Sequence, residues 1–411
     1  MPVDNQLLRP VGSIPAPPAE RLREQVAALA SIHRPSASEG ERRAAEWVRH
    51  RMLEHEARAQ IETEQAHGSY WVPLTLLSAA GALGALIGGR NRLAGAVLAG
   101  AAAAGVRDDI TAGRHYARRL LHRRDSFNVV AELGPPAADR TVVLVAHHDA
   151  AKSGLIFHPG IPAFVWQRFP ALIERSDTSP PLMFPVFGGP ALAALGSLAG
   201  SRRARIAGGV VSAGAAAVIG QIGSTRVVAG ANDNATGVVA LLEVARRLAD
   251  EPTDNVRVLL VSTGSEESFM EGMRAFMRRH GPALPQRDTF VLAVDTVGSP
   301  HLTAIRGEGM LAMNEYPRPA LELVDQVAAD LGISLFPNLR LRNATDGLIA
   351  LKQGYPCACL GSVTDYKAPA NYHWRTDTPE NVDYGRVADA VRLCEGVIRR
   401  LDARWLNSTT G

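Results

Sequence analysis

Cysteine is scarce in this sequence, with only three residues, Cys357, Cys359 and Cys394. Three cysteines are too few for a disulfide framework, and a pair separated by one residue fits neither a CxxC redox motif nor a zinc knuckle. We therefore interpret all three as small buried residues. They exclude a disulfide-stapled secreted scaffold and favour neither redox compartment.

An excess of charge of one sign is also absent. The 44 Lys and Arg residues nearly balance the 41 Asp and Glu residues, and aromatic residues make up only 5% of the chain. No basic stripe interleaved with aromatic residues is found, so nucleic acid is excluded as the expected partner. The 411 residues are enough for one large α/β domain with insertions, or for two domains.

The amino terminus lacks the apolar segment of a signal peptide, because residues 1–20 are rich in proline instead. We expect residues 1–18 to form a flexible leader. The absence of a cleavable signal does not exclude a membrane location.

Charged residues are missing from four long runs, which form two pairs. Residues 68–89 and 93–106 flank one short basic loop, and residues 178–201 and 206–225 flank a second. The first run is long enough to cross a bilayer, whereas the second is marginal. Glycines four residues apart, at positions 84 and 88 and at positions 196 and 200, would let helices approach closely.

These pairs predict two inserted apolar helical hairpins. We expect membrane association through residues 68–106 and 178–225, with Tyr70 and Trp71 as interfacial anchors. The alternative is a cytoplasmic protein in which the hairpins are buried or form a homo-oligomer interface. The arginines of the hairpin loops and those of residues 107–124 conflict under the positive-inside rule, so the side of the catalytic domain stays open.

Outside the hairpins, apolar strands alternate with amphipathic helices. This order predicts an α/β fold with a mixed β-sheet sandwiched between helices. Strands are predicted at 58–63, 127–133, 141–146, 256–262, 289–294 and 357–360, and helices at 21–30, 40–55, 237–248, 270–279, 319–331 and 387–405.

Polar residues follow several of these strands directly. His147 and Asp149 follow one strand, Glu266 and Glu267 follow a second, and Asp295 follows a third. Ligands of open α/β sheets bind at the carboxyl ends of strands. Each pair by itself is more often structural than functional, since Glu-Glu after a strand is usually a solvated helix start.

Two further segments complete the set. Asp233 lies in a turn of small residues before a helix, and His373 lies far downstream. Two imidazoles and several carboxylates from successive strand ends form the ligand set of a two-metal hydrolytic site. By ligand type alone the metal could be zinc, cobalt or manganese.

Five blocks of this sequence together resemble the M28 family of co-catalytic zinc metallopeptidases. They are His147-His-Asp149, Gly230-Ala-Asn-Asp-Asn-Ala-Thr-Gly237, Glu266-Glu267, Asp295-Thr-Val-Gly298 and Tyr372-His373 with Asp377-Thr378. The resemblance covers roughly residues 20–65, 125–150 and 228–400 and excludes the hairpins. It implies a zinc-exopeptidase-like fold and two Zn²⁺ ions.

The resemblance also implies a role for each matching residue. His147 and Asp295 would bind one zinc, Glu267 and His373 the other, and Asp233 would bridge the two. Glu266 would be the general base, and Tyr372 would assist at the scissile carbonyl. Asp149 and Asp377 would support the metal ligands from behind. Asp346, in a Thr-Asp block, would line the substrate site.

The expected activity is therefore hydrolysis of peptide bonds, with removal of N-terminal residues the leading prediction. One alternative is a catalytically silent receptor or scaffold of the same fold, although no ligand position is missing here. A second alternative is a one-zinc acyltransferase of the glutaminyl cyclase type, which the complete two-metal ligand set disfavours.

The hairpins divide the predicted catalytic domain. We expect its parts at 19–66, 125–150 and 228–411. A hairpin with a basic flank covers 67–124, and a second insertion covers 151–227. The second insertion also holds Phe164, Trp166 and Phe169, which would form either a lid over the site or an interfacial segment.

Overall fold

The structure is a computed structural model that describes residues 12–406, except for the side chains of Leu172 and of residues 404–406. The predicted leader lies outside the described residues up to position 11. The rest of it packs on the domain, because Ile14 is buried and Arg247 donates a hydrogen bond to the carbonyl of Pro15.

A mixed seven-stranded sheet forms the centre of the molecule, with strand order β1-β2-β4-β3-β5-β10-β6. Strands β3, β4, β5 and β10 run parallel, and the other strands pair antiparallel at the two edges. The strands are β1 (Arg58–Ala66), β2 (Arg124–Leu133), β3 (Arg140–His147), β4 (Val256–Thr263), β5 (Thr289–Val294), β6 (His301–Ile305) and β10 (Cys357–Val363). A second, three-stranded sheet contains β7 (Gly307–Glu308), β8 (Asn314–Glu315) and β9 (Arg340–Leu341).

Two groups of helices cover the large sheet. The first group is α1 (Ala19–Ala30), α2 (Glu39–Leu53), α9 (Thr236–Asp250), α11 (Arg318–Asp330) and α13 (Tyr384–Leu406), and the second is α10 (Glu271–His280) and α12 (Asp346–Lys352). Two short helices, α5 (Gly160–Arg168) and α6 (Pro170–Glu174), lie in the second insertion. The predicted α/β class with a sheet between helices is confirmed.

Hydrophobic pattern explains why these strands are central. β5 and β10 are buried at every residue, as continuous apolar runs covered on both faces should be. The edge strand β1 instead alternates between buried and more exposed residues. All six predicted strands are present. Strand β6 and the small sheet were not predicted, because a five-residue strand and two-residue strands carry too little periodicity.

The two hairpins pair with each other and form a four-helix bundle. Its helices are α3 (Trp71–Ile87), α4 (Arg92–Ile110), α7 (Phe184–Leu198) and α8 (Arg202–Gly223), which pack in extensive contact. The sequence predicted two hairpins but not their association. Insertions about 100 residues apart in the chain thus build one unit.

The bundle has small residues inside and large apolar residues outside. Its interior cluster consists of Ala85, Ala99, Ala193 and Ala194. A Cβ atom on Gly84 would lie 2.8 Å from the backbone nitrogen of Ala99, so the backbones approach as closely as glycine allows. The exposed large apolar residues of the bundle include Leu76, Leu83, Leu86, Leu93, Val97, Leu195, Leu198, Ile206 and Val210.

Helix length limits how this bundle could relate to a bilayer. Only α8, among the described helices, is long and apolar enough to cross a membrane by length and composition. Helices α3 and α7 are apolar but shorter, at 17 and 15 residues. The charge-free run of residues 68–89 is long enough to cross a bilayer, but the helix that it forms has only 17 residues and falls just short of that length.

Overpacking the bundle interior should destabilise the protein. Ala99 is fully buried against a neighbouring helix, so Ala99→Leu has no room and we expect a loss of about 1–3 kcal/mol in the free energy of unfolding. Ala101→Leu, on the exposed face of the same helix, is the matched control and should change stability little. Thermal unfolding followed by circular dichroism measures both. Equal stability of the two variants would contradict this packing.

Candidate active site

The central parallel strands bring their carboxyl ends together at one edge of the sheet. β3 lies between β4 and β5. His147 ends β3, Asp295 follows β5 at once, and Glu266 and Glu267 follow β4 after a short turn. Neighbouring parallel strands end side by side, so these four side chains meet.

Asp233 reaches the same edge from the turn before α9. Gly230 enters this turn at φ +62°, and a Cβ atom there would lie 2.6 Å from the carbonyl oxygen of Asp233. Glycine is therefore required at this position. The peptide bond between Asp233 and Asn234 is cis. The small residues of the turn let the carboxylate lie between the strand ends.

The predicted ligands form two clusters that share Asp233. In the first, His147 Nε2 lies 3.2 Å from Asp233 Oδ1 and 4.0 Å from Asp295 Oδ2. In the second, His373 Nε2 lies 3.1 Å from Asp233 Oδ2 and 3.2 Å from Glu267 Oε2. Each cluster could hold one metal ion. Side chains from five separate segments converge on this centre.

Burial shifts the pKa values of the titratable groups at this centre. Burial raises the pKa of Asp295 and of Glu266 well above the usual carboxyl range. Burial alone would lower the pKa of His373, but the charges of Glu267 and Asp233 outweigh it and raise that pKa to about 10. So many buried acids favour any cation that can bind among them.

The described residues fit zinc at this centre. Glu267 Oε1 is buried and has no hydrogen-bond donor among the described residues, and Asp233 Oδ2 is approached by His373 Nε2, itself a candidate ligand, at 3.1 Å. Buried carboxylate oxygens are costly when left without a partner. Imidazole nitrogens and carboxylate oxygens at this spacing are the ligands that zinc takes in proteins.

Two carboxylates that are not candidate ligands fix the loops that carry the ligands. Asp149 accepts hydrogen bonds from the amides of Glu266 and Glu267, both at 3.1 Å. Asp377 accepts hydrogen bonds from the amides of Asn232 and Asp233, at 2.7 and 3.2 Å. Each carboxylate thus orients the backbone of a segment that bears a candidate ligand.

Arg34 was not predicted from the sequence, yet it connects two of these loops. Its side chain is fully buried and donates hydrogen bonds to the carbonyls of His148, Ala229 and Gly230 at 2.6–2.7 Å. Nearby, Ser36 donates to Asp149 at 2.6 Å. The neighbouring sequence does not indicate this role, because a single arginine in a short loop between helices resembles a surface residue.

Tyr372 and Phe157 form an aromatic wall beside the cluster. The Tyr372 ring stacks on His373 with centroids 3.9 Å apart, and burial raises its pKa well above the usual phenol range. Phe157, from the second insertion, meets the rings of Tyr372 and His373 edge-on. The insertion therefore contributes directly to the walls of the site.

Asp346 lies behind the site rather than along its cavities. It accepts a hydrogen bond from Thr263 Oγ1, and burial raises its pKa to about 6. It is among the lining residues of neither cavity beside the metal ligands. Its substrate-binding role stays a prediction.

Two cavities adjoin the cluster. A small polar cavity of about 20 Å³ is lined by Asp233, Glu266, Asp295 and Thr296 among others. A larger cavity of about 300 Å³ begins at Glu266, Glu267 and His373 and has mainly apolar walls. The first suits a small cationic group, and the second suits a bulky apolar group.

Removing the Arg34 guanidinium should destabilise the loops of the site. Arg34→Met leaves three buried carbonyls without donors, at about 1–3 kcal/mol for each lost partner. We expect a clear loss in the denaturant midpoint of unfolding, together with weaker zinc binding. Arg42→Met is the control, because Arg42 pairs only with exposed acids on its own helix. An unchanged midpoint for Arg34→Met would show that the carbonyls do not depend on it.

Comparisons with known proteins agree with this geometry. Residues 214–398 match the model of peptidase family M28. No curated protein sequence matches the chain. A Zn-dependent exopeptidase from Parabacteroides distasonis ATCC 8503 has a TM-score of 0.54 and 13% identity, over 94% of this chain and 99% of that one.

Two further solved structures show the range of proteins with this fold. Bacteroides thetaiotaomicron glutaminyl cyclase has a TM-score of 0.54 and 12% identity, over 94% of this chain and 99% of that one. The aminopeptidase from Aneurinibacillus sp. strain AM-1 has a TM-score of 0.53 and 12% identity, over 93% of each chain. At these identities the likeness shows the fold alone. Residues 214–398 therefore match peptidase family M28, in a chain with the fold that zinc exopeptidases and glutaminyl cyclases share.

Proposed function

We propose that this protein is a two-zinc peptidase that removes N-terminal residues from peptides. The observation that carries the proposal is the pair of ligand clusters sharing Asp233. One ion would be held by His147 and Asp295 and the other by Glu267 and His373, with Asp233 between them. Two zinc ions bound there would polarise the scissile carbonyl and lower the pKa of the attacking water.

Glu266 is the general base of this proposal. Its side chain is buried, lines both cavities and has Oε2 3.9 Å from His147 Nε2. The peptide amide of Glu266 is held by Asp149, so the carboxylate has a fixed position. It accepts a proton from the attacking water and passes it to the departing amine.

Tyr372 supports the reacting carbonyl. Its raised pKa keeps the phenol protonated at neutral pH, so the hydroxyl can donate a hydrogen bond. Its ring lines both cavities beside His373. A hydroxyl donor beside the candidate ligands would stabilise the negative charge that develops on the carbonyl oxygen.

The small polar cavity supports removal of residues from the amino terminus. Its volume of about 20 Å³ among the candidate ligands leaves room for little beyond the ions and the attacking water. A substrate therefore has to end close to the scissile bond on this side, which favours cleavage of the first peptide bond.

We further infer that the four-helix bundle is embedded in a membrane. Bundle interiors in lipid are packed with small residues, whereas lipid-facing surfaces carry large apolar side chains. The side chains of Leu86, Leu93 and Val210 are more than 60% exposed. Contact of this apolar surface with water would be unfavourable, whereas contact with lipid would not. A buried interface between copies of the chain is the alternative cover for this surface.

Glu266 and Glu267 should behave differently although they are adjacent. Glu266→Gln should keep about two zinc ions per chain but lose at least a hundredfold in kcat on aminoacyl-p-nitroanilides, because the proton acceptor is gone. Glu267→Gln should lose zinc as well as activity. Metal content by mass spectrometry and initial rates measure both effects. Full activity in Glu266→Gln would refute the assigned base.

The substrate panel separates this function from its alternatives. Peptides with free amino termini should be cleaved and N-acetylated ones should not, because the small cavity beside the ligands has no room for an added acetyl group. Cleavage of both at equal rates would refute aminopeptidase specificity. Cyclisation of N-terminal glutamine without hydrolysis would indicate the glutaminyl cyclase alternative.

Membrane embedding predicts retention of the protein in lipid. After expression of the full chain, it should stay in the membrane pellet through a wash with alkaline carbonate and be released by detergent. A peripheral protein of the same cells serves as the released control. Recovery in the carbonate supernatant would exclude the embedded bundle, and a stable dimer in light scattering would then identify the alternative cover.

A further inference from the structure

Nearly half of the residues that line the large apolar cavity lie outside the M28 match. They include Phe157, Ile161 and Val165 of the second insertion, and Tyr70 and Met183. All of these precede residue 214, where the match begins. This part of the cavity wall is therefore a feature that the chain adds to the matched region.

The cavity connects the metal ligands to the bundle. At one end it is lined by Glu266, Glu267 and His373. Tyr70 and Met183, also in its walls, are the residues from which helices α3 and α7 begin. A group bound in the cavity would thus lie between the reacting centre and the base of the bundle.

Beyond the catalytic end, most of the wall is apolar. The polar side chains there are Ser179, Arg342, Asn343, Tyr366 and Asn371, and the Arg342 guanidinium lies 5.3 Å from the centre of the Phe184 ring. Tyr70 stacks on Phe269 with centroids 5.0 Å apart and presents apolar ring surface. An apolar group would gain free energy by burial against the apolar part of this wall.

The volume of the cavity fits a long aliphatic chain. At about 30 Å³ for each water-sized group, 300 Å³ holds roughly ten methylene groups. That is more than any standard aliphatic side chain needs. The volume and the mainly apolar lining therefore favour a long hydrocarbon chain over a small side chain.

We propose that the substrates are amphipathic peptides whose N-terminal residue carries an aliphatic chain of roughly six to ten carbons, and that this chain occupies the cavity during hydrolysis. The proposal rests on the aminopeptidase function and names its substrate class. The cavity adjoins the base of the bundle, which the proposed membrane embedding would bring close to the surface of a bilayer.

The test is a series of aminoacyl-p-nitroanilides with unbranched side chains of one to twelve carbons, assayed on the full chain in lipid nanodiscs below the aggregation limit of each substrate. We expect kcat/KM to rise about three- to fourfold for each added methylene and to level off near ten carbons. The alanyl compound, which does not reach the cavity, reports the basal activity.

A paired substitution localises the effect. Val165→Trp fills the cavity from α5 and should remove the gain for chains longer than about four carbons, measured as the ratio of kcat/KM for each compound to that for the alanyl compound. Gln167→Trp, on the exposed side of the same helix, is the matched control and should keep the full gain.

The outcomes separate the two levels of the proposal. Hydrolysis of the alanyl compound with no dependence on chain length would overturn the substrate class and leave the peptidase function intact. Equal gains in Val165→Trp and the parent would place the chain elsewhere and overturn the assignment to this cavity. Failure to hydrolyse any compound in zinc-loaded protein would overturn the aminopeptidase function and this proposal with it.

Discussion

The structure depends on the packing of three buried carboxylates, Asp233, Glu266 and Glu267, and the partly buried Asp295 within a few ångströms of two imidazoles. The negative charges of these carboxylates repel one another, and burial raises the pKa of Glu266, Glu267 and Asp295. The fold holds this cluster through backbone amides: pairs of N–H groups point at the supporting carboxylates behind the ligands. The carboxylate oxygens that remain are candidate places for cations. This arrangement is a consequence of how the strand ends are packed.

The insertions modify this centre without disturbing it. They enter the chain at loops of the catalytic domain, and their helices pack with one another into the bundle. A network of buried ion pairs links the two parts. Arg118, which follows α4, pairs with Asp109 of α4 and donates a hydrogen bond to the carbonyl of Ser268, just after the two glutamates. The bundle is therefore attached firmly beside the catalytic loop, which keeps the apolar cavity in register with the reacting centre.

Much of this could be predicted from sequence because the signals were local. The buried strands carry long apolar runs, and the ligands follow them directly, so His147, Glu267 and Asp295 could be placed at a common edge before any coordinates were known. Arg34 and Phe157 could not be found this way. Their importance comes from contacts with residues more than a hundred positions away, and their own neighbours in sequence show no pattern that indicates this.

The sequence by itself determined the α/β class, the strand ends that carry the polar residues and the four charge-free runs, since each of these is written in the spacing of neighbouring residues. Only the tertiary structure decided that Asp233 is shared by two ligand clusters, that the hairpins join into one bundle with alanines inside, and that the insertion closes an apolar cavity beside the glutamates. Those features arise where distant segments meet, and periodicity along the chain does not encode the distance between them.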